Sequence, residues 1–152
     1  MENFKIKVDV PVDQDGYALL QCQHCGEFFK ISASDAKDDR ILKIYCPCCG
    51  LTSDTYVTDE VIALAEVKIQ NRYDMAIYDE LKKLERSTKN SFIKFKAGPK
   101  PRLRYEEPLY SKIDTTEEVY FECCKRFAKI KPLLKTTGCY CPFCGVKEYE
   151  PK

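Results

Sequence analysis

The sequence predicts an α+β protein: two small antiparallel cysteine-built units joined by a long amphipathic helix and an extended basic segment. Three observations predict it. All ten cysteines among the 152 residues fall within 22–49 or 123–144. The two clusters repeat one motif. Between them apolar residues recur every three or four positions, the period of a helix with one apolar face.

In chain order, Phe4, Ile6, Val8, Val10 and Val12 alternate with mostly polar residues from Met1 to Val12, which predicts a half-buried strand ended at Pro11. Asp13 to Gly16 reads as a turn. Short apolar runs at Tyr17 to Leu20, Phe28 to Ile31 and Ile41 to Tyr45, bounded by cysteines or turn residues, predict short strands. After Thr58 the period lengthens. Ile62, Ala65, Ile69, Tyr73, Ile77, Leu81 and Leu84 share one helical face, with Thr58 as N-cap and Asp59 and Glu60 in the first turn, where the helix dipole favours acids. The helix is expected over 59–86, and its stripe is expected to pack within the chain because each cysteine unit is too small to bury much by itself. Phe92 to Lys96 alternates again before Gly98, Pro99 and Pro101 break it. The segments are therefore 1–57, the N-terminal unit; 58–88, the connecting helix; 89–113, the basic segment; and 114–152, the C-terminal unit.

Composition sets the class. With 44% hydrophobic and 32% charged residues the chain is neither disordered nor membrane-spanning, and no run approaches the ~18 apolar residues a bilayer crossing needs. The charged alternation from Met1 to Val12 lacks a signal-peptide core, so a cytoplasmic chain is expected. In a reducing compartment ten thiols point to metal ligation before disulfides.

The repeat is positional. Phe28, Lys30 and Ile31 follow Cys25 at the offsets at which Phe127, Lys129 and Ile130 follow Cys124. Tyr45-Cys46-Pro47-Cys48-Cys49-Gly50-Leu51 matches Tyr140-Cys141-Pro142-Phe143-Cys144-Gly145-Val146 position by position, with Phe143 in place of Cys48 and Val146 in place of Leu51. In the first unit Cys22 and Cys25, then Cys46 and Cys49, form pairs with two-residue spacers and a following glycine. Such a turn aims both sulfurs at one ion, and glycine tolerates the left-handed conformation that the turn needs. Four thiolates make a closed structural zinc site with no open position for chemistry. His24 and Cys48 lie inside the spacers and are expected to point away from the metal. In the second unit Phe121 stands where Cys22 would, so Cys124, Cys141 and Cys144 need a fourth ligand from Cys123 or Cys139. The turn position favours Cys123; a metal-free second unit is the competing possibility. The cofactor expected is zinc, two ions per chain.

Both units resemble zinc ribbons, the two-knuckle sheets of general transcription factors and RNA polymerase subunits. The whole chain resembles uncharacterised bacterial proteins that carry a transcription-factor-B-type zinc ribbon. The resemblance implies a metal-held binding module with no assigned activity. Cys-x-x-Cys-Gly followed by Cys-Pro-x-Cys-Gly is also similar to rubredoxin, which would imply iron and electron transfer.

Formal charge is only +1, yet Met1 to Glu60 holds six bases and eleven acids, whereas Ser91 to Lys135 holds eleven bases and six acids. Lys94, Lys96, Lys100, Arg102 and Arg104, interleaved with Phe92, Phe95 and Tyr105, together with Lys125, Arg126 and Lys129 on the C-terminal ribbon, are the candidate nucleic-acid contacts. A solvated lysine-rich face is the bland alternative. No catalytic constellation emerges: the single histidine has no nucleophile partner and there is no phosphate-cradling glycine loop. The expected activity is therefore non-enzymatic binding of nucleic acid or of a nucleic-acid-processing protein, with no membrane partner. A protein-interaction adaptor is the alternative, and the 59–86 helix is a candidate surface for a protein partner or self-association.

Overall fold

The computed structural model describes residues 5–111 and 115–152. The chain forms two compact units, one of residues 5–8 with Glu60–Pro108 and the other of Asp9–Asp59 with the described part of Leu109–Lys152. The two cysteine ribbons thus share a unit, and the helix and basic segment make the other.

In the ribbon unit, β1 (Tyr17–Gln21), β2 (Phe28–Ser32), β3 (Glu117–Phe121) and β4 (Arg126–Ile130) form one antiparallel sheet in the order β1-β2-β4-β3. Each hairpin spans one cysteine knuckle, with Gln21 opposite Phe28 and Phe121 opposite Arg126. The hairpins join at the centre, where Lys30 faces Lys129 and Ile31 faces Ala128. One sheet face holds Phe29, Ile31, Val119, Phe121, Ala128 and Ile130, all fully buried, and Tyr56 packs edge-on against Phe29 at 5.7 Å. Short helices α1 (Ala33–Ala36) and α3 (Pro132–Thr137) follow β2 and β4, and β5 (Cys139–Tyr140) pairs with β6 (Lys147–Glu148) in the last knuckle.

The two repeats contact each other reciprocally. Tyr45 N–H donates to Pro142 O at 2.8 Å, and Tyr140 N–H donates to Pro47 O at 2.9 Å. The Tyr140 ring lies over Gly50 and the Tyr45 ring over Gly145. Residue i meeting j while the equivalents of j and i meet in turn is the signature of a two-fold interface. The ribbons therefore sit as a dimer fused within one chain.

That symmetry places two lysines opposite each other in the sheet, where like charges repel. Asp13 resolves the conflict: one carboxylate oxygen lies 2.9 Å from Lys129 Nζ and 3.3 Å from Lys30 Nζ, and the other accepts Tyr17 N–H at 2.9 Å. Asp15 adds a bond to Lys129 at 2.6 Å, and the Tyr17 ring lies 4.7 Å from the same ammonium. Burial favours the neutral acid, but the bonds from Lys129, Tyr17 and Lys30 outweigh it and hold Asp13 down from 3.8 to about 2. A carboxyl with a depressed pKa stabilises the fold above its unfolded pKa, and that contribution is lost as pH falls through the folded value. Asp13→Asn should therefore cost about 2 kcal/mol at neutral pH, where zinc is bound and the carboxylate is fully ionised. Denaturant unfolding of both zinc-loaded proteins at neutral pH tests it. Equal stability of variant and parent would show that Asp13 is not the counter-ion.

Several expected elements differ. Phe4 lies outside the described residues. Residues 5–12 make no ladder beyond an isolated Val12–Ala18 bridge, although the alternation survives as exposed Lys5 and Lys7 beside half-buried Ile6 and Val8. Ile41 to Tyr45 is not a strand: only Tyr45 bridges, to Thr52, because its N–H is taken by Pro142. Phe92 to Lys96 also lacks a partner strand, and Phe92 and Ile93 are solvent-exposed.

In the other unit α2 runs Asp59–Thr88, 30 residues and about 45 Å long. Of its expected apolar stripe, Ala65 and Leu81 are half-buried and the rest is more open. Ile62, Ile69, Tyr73, Ile77 and Leu84 remain 37 to 55% exposed. The covered side is the opposite one, centred on buried Asn71, whose amide donates to Arg104 O at 2.9 Å and accepts Arg104 N–H at 2.8 Å. One side chain thereby satisfies both backbone groups of a residue in the extended segment, as a strand partner would. Among the described residues no helix is long and apolar enough to cross a membrane.

Candidate metal centres

The first knuckle closes the β1–β2 hairpin. Cys22 N–H bonds Glu27 O at 2.9 Å, and Gly26 N–H returns to Cys22 O at 2.9 Å. The second knuckle repeats this, with Cys46 bonded to Leu51 and Gly50 to Cys46. Both glycines have the positive φ that the spacing predicts, 74° and 71°. The backbone N–H groups of His24 and Cys48 point at the sulfurs of Cys22 and Cys46, each at 3.4 Å. Such donors favour the thiolate. At Cys22 burial opposes them, yet the Cys25 and His24 amides hold the thiol down to about 7, whereas at the more buried Cys46 burial outweighs the same kind of donors and pushes the thiol up.

The sulfurs of Cys22, Cys25, Cys46 and Cys49 all lie within 4.8 Å of one another, with Cys22–Cys49 at 3.7 Å and Cys25–Cys46 at 3.5 Å. Tetrahedral Zn–S bonds of about 2.3 Å require S···S edges of about 3.8 Å, so the cluster has the size of a zinc site. His24 Nε2 donates to Thr52 O at 3.0 Å, and Cys48 is exposed and not one of the four, although its thiol touches that of Cys25.

The second cluster gathers Cys123, Cys124, Cys141 and Cys144 within the same 4.8 Å limit, with Cys123 and Cys144 at 3.5 Å. Cys141 N–H bonds Val146 O and Gly145 N–H bonds Cys141 O, both at 2.8 Å. Its first knuckle solves the missing-cysteine problem locally. Phe121 occupies the position of Cys22 and fills the core, and the turn projects Cys123 to the metal from two residues further on. Lys125, at the position of Gly26, takes φ 54°, the one positive value at a non-glycine residue among those described. Cys139 lies elsewhere: it is fully buried in the apolar core at the position of Ile44, and burial pushes its thiol up to about 11. The two clusters are consistent with two zinc ions per chain, each held by four thiolates with no open position. Cys123→Ser should lower bound zinc below two per chain. Cys139→Ser should leave two and cost stability by about 1–3 kcal/mol, the penalty of a buried hydroxyl. Elemental analysis of both variants separates the alternatives, and unchanged zinc in Cys123→Ser would move the ligand.

The candidate basic residues divide. Lys94, Lys96, Lys100, Arg102, Arg104 and Lys125 are exposed. Arg126 is instead ion-paired with Asp35 and, at 2.8 Å, with Asp38, and Lys129 is held by Asp13 and Asp15. Two cations of the second basic run therefore neutralise acids of the first ribbon. Beyond it Lys131 pairs with Glu27 and Lys135 with Glu117. No family model matches the chain, and no curated protein or solved structure matches it.

Proposed function

We propose that the protein is a non-enzymatic binding module, held by two zinc ions, that engages single-stranded nucleic acid or a protein that handles it through the extended segment from Phe92 to Tyr105. The observation that carries this reading is the fate of the charges. Lys94, Lys96, Lys100, Arg102 and Arg104 are exposed beside Phe92 and Tyr105, which are themselves 106% and 81% exposed. Of the basic candidates on the ribbon unit, Arg126 and Lys129 are instead paired with acids of the first ribbon. A flexible backbone of phosphates and unpaired bases needs cations interleaved with accessible rings, and this segment offers both. The four-thiolate sites contribute shape, because zinc closed by four sulfurs has no position at which to activate water.

Fluorescence anisotropy with single-stranded and duplex RNA and DNA at two salt concentrations tests the proposal. Single strands should bind at micromolar protein, with an affinity that falls as salt rises. Lys94→Gln, Lys96→Gln, Arg102→Gln and Arg104→Gln together should weaken binding by about tenfold or more and flatten the salt dependence. Tyr105→Ala should cost about 1–3 kcal/mol, the value of one stacked base. Absence of salt-dependent binding at micromolar protein would remove the nucleic-acid reading and leave the adaptor. A coloured, iron-containing preparation would favour electron transfer, whereas a colourless one with two zinc ions removes it.

A further inference from the structure

The exposed stripe of α2 reads the same in both directions. Ile62, Glu66, Ile69, Tyr73, Ile77, Glu80 and Leu84 are spaced 4, 3, 4, 4, 3 and 4 residues apart, and their types run apolar, acid, apolar, aromatic, apolar, acid, apolar about Tyr73. All seven are exposed. The repeat of 11 residues, Ile62 to Tyr73 to Leu84, keeps the stripe on one side of a nearly straight helix with a slight right-handed drift. A palindromic face is what a two-fold interface requires, since each copy must present the same surface in reverse.

We propose that this face of α2 pairs with α2 of a second copy in an antiparallel two-helix interface centred on Tyr73. In that register Ile62 meets Leu84 of the second copy, Ile69 meets Ile77, and Tyr73 meets its own equivalent at the two-fold. Glu66 meets Glu80, and the conflict is local. Lys83 already bonds Glu80 at 2.6 Å within its own helix and lies one turn from Glu66 of the other copy, so it bridges both carboxylates. In a parallel in-register pair Glu66 would meet Glu66, about 25 Å from the nearest Lys83. Charge therefore selects the antiparallel orientation, as polar residues in a helical seam commonly do.

Area points the same way. The five apolar side chains of the face expose on the order of 400 Å², a patch the size of functional ones on monomers. That is about half of the ~800 Å² per partner of a standard specific interface, which fits a reversible dimer in the micromolar range. A narrow straight stripe suits a helix, not a globular groove. The proposal does not depend on nucleic-acid binding.

Sedimentation of the full chain across the micromolar range tests it. The parent should pass from monomer to dimer. Ile69→Glu with Ile77→Glu should weaken the association by about tenfold or more while leaving zinc content and helical circular dichroism unchanged, since both positions are exposed. A parent that stays monomeric throughout, or a double variant that dimerises equally well, would overturn the proposal. Benzoylphenylalanine placed at position 62 decides orientation without a charge in the seam. Photo-crosslinks near Leu84 of the second copy support the antiparallel pair, and crosslinks to position 62 overturn it.

Discussion

Replacing Cys46 by serine is expected to remove both zinc ions, not one. Each hairpin has strands of five residues, too short to stand alone in water, and coordination energy supplies much of what the apolar core lacks. Structural zinc contributes on the order of 10–16 kcal/mol of apparent binding energy at neutral pH, far above the stability of a small sheet. Loss of the first site therefore unfolds the first ribbon. The second cannot persist unchanged, because β2 supplies β4 with its neighbour, and Phe29 and Ile31 share a core with Val119, Phe121 and Ile130. Asp13, Asp35 and Asp38 of the first ribbon also neutralise Lys129 and Arg126 of the second. In Cys46→Ser, zinc should fall towards zero, with loss of the near-ultraviolet tyrosine signal. Chelator titration of the parent should release both ions in one transition. A variant that keeps one tightly bound zinc and a native spectrum would show that the ribbons fold independently.

How much of this was legible in the sequence depends on the range of the interaction. The first metal site was fully legible, because a two-residue spacer with a trailing glycine is local turn geometry. At the second site the same logic identified three sulfurs and left Cys123 and Cys139 open. The deciding contact is the packing of Phe121 into a core shared with the other ribbon, and the turn has Lys125 where glycine would have announced it. The repeat register, extended two residues upstream of Cys141, would have aligned Cys139 with Ile44 and marked it as a core residue. Periodicity found the two-sided character of α2, but the more covered side is the one centred on Asn71. An asparagine gripping a backbone 33 residues away leaves no apolar signature. The basic run on β4 misled for a related reason: Arg126 and Lys129 look like surface charges until acids roughly a hundred residues upstream fold over them.

Gly145→Ala should destabilise the ribbon unit by about 2–4 kcal/mol, and Gly26→Ala by only about 1–2 kcal/mol. The two glycines have nearly equal φ, 75° and 74°, so the cost of forcing a Cβ into the left-handed region is common to both. Their surroundings differ. A Cβ at Gly26 meets nothing within 4 Å, whereas at Gly145 it lies 2.7 Å from the Tyr45 ring. That ring is half-buried, and Tyr45 N–H is fixed to Pro142 O, so it cannot retreat without opening the contact between the ribbons. The excess at Gly145 therefore measures the inter-ribbon contact, typically about 1–3 kcal/mol for an overpacked site. Gly50 gives an internal replicate: its φ is 71° and its Cβ would lie 2.8 Å from the Tyr140 ring, so Gly50→Ala should match Gly145→Ala. Tyr45→Leu combined with Gly145→Ala should recover part of the loss, because the smaller side chain yields the space. Denaturant unfolding of the zinc-loaded variants gives each value. Equal losses at Gly26 and Gly145 would mean that the tyrosines do not clamp the two ribbons together.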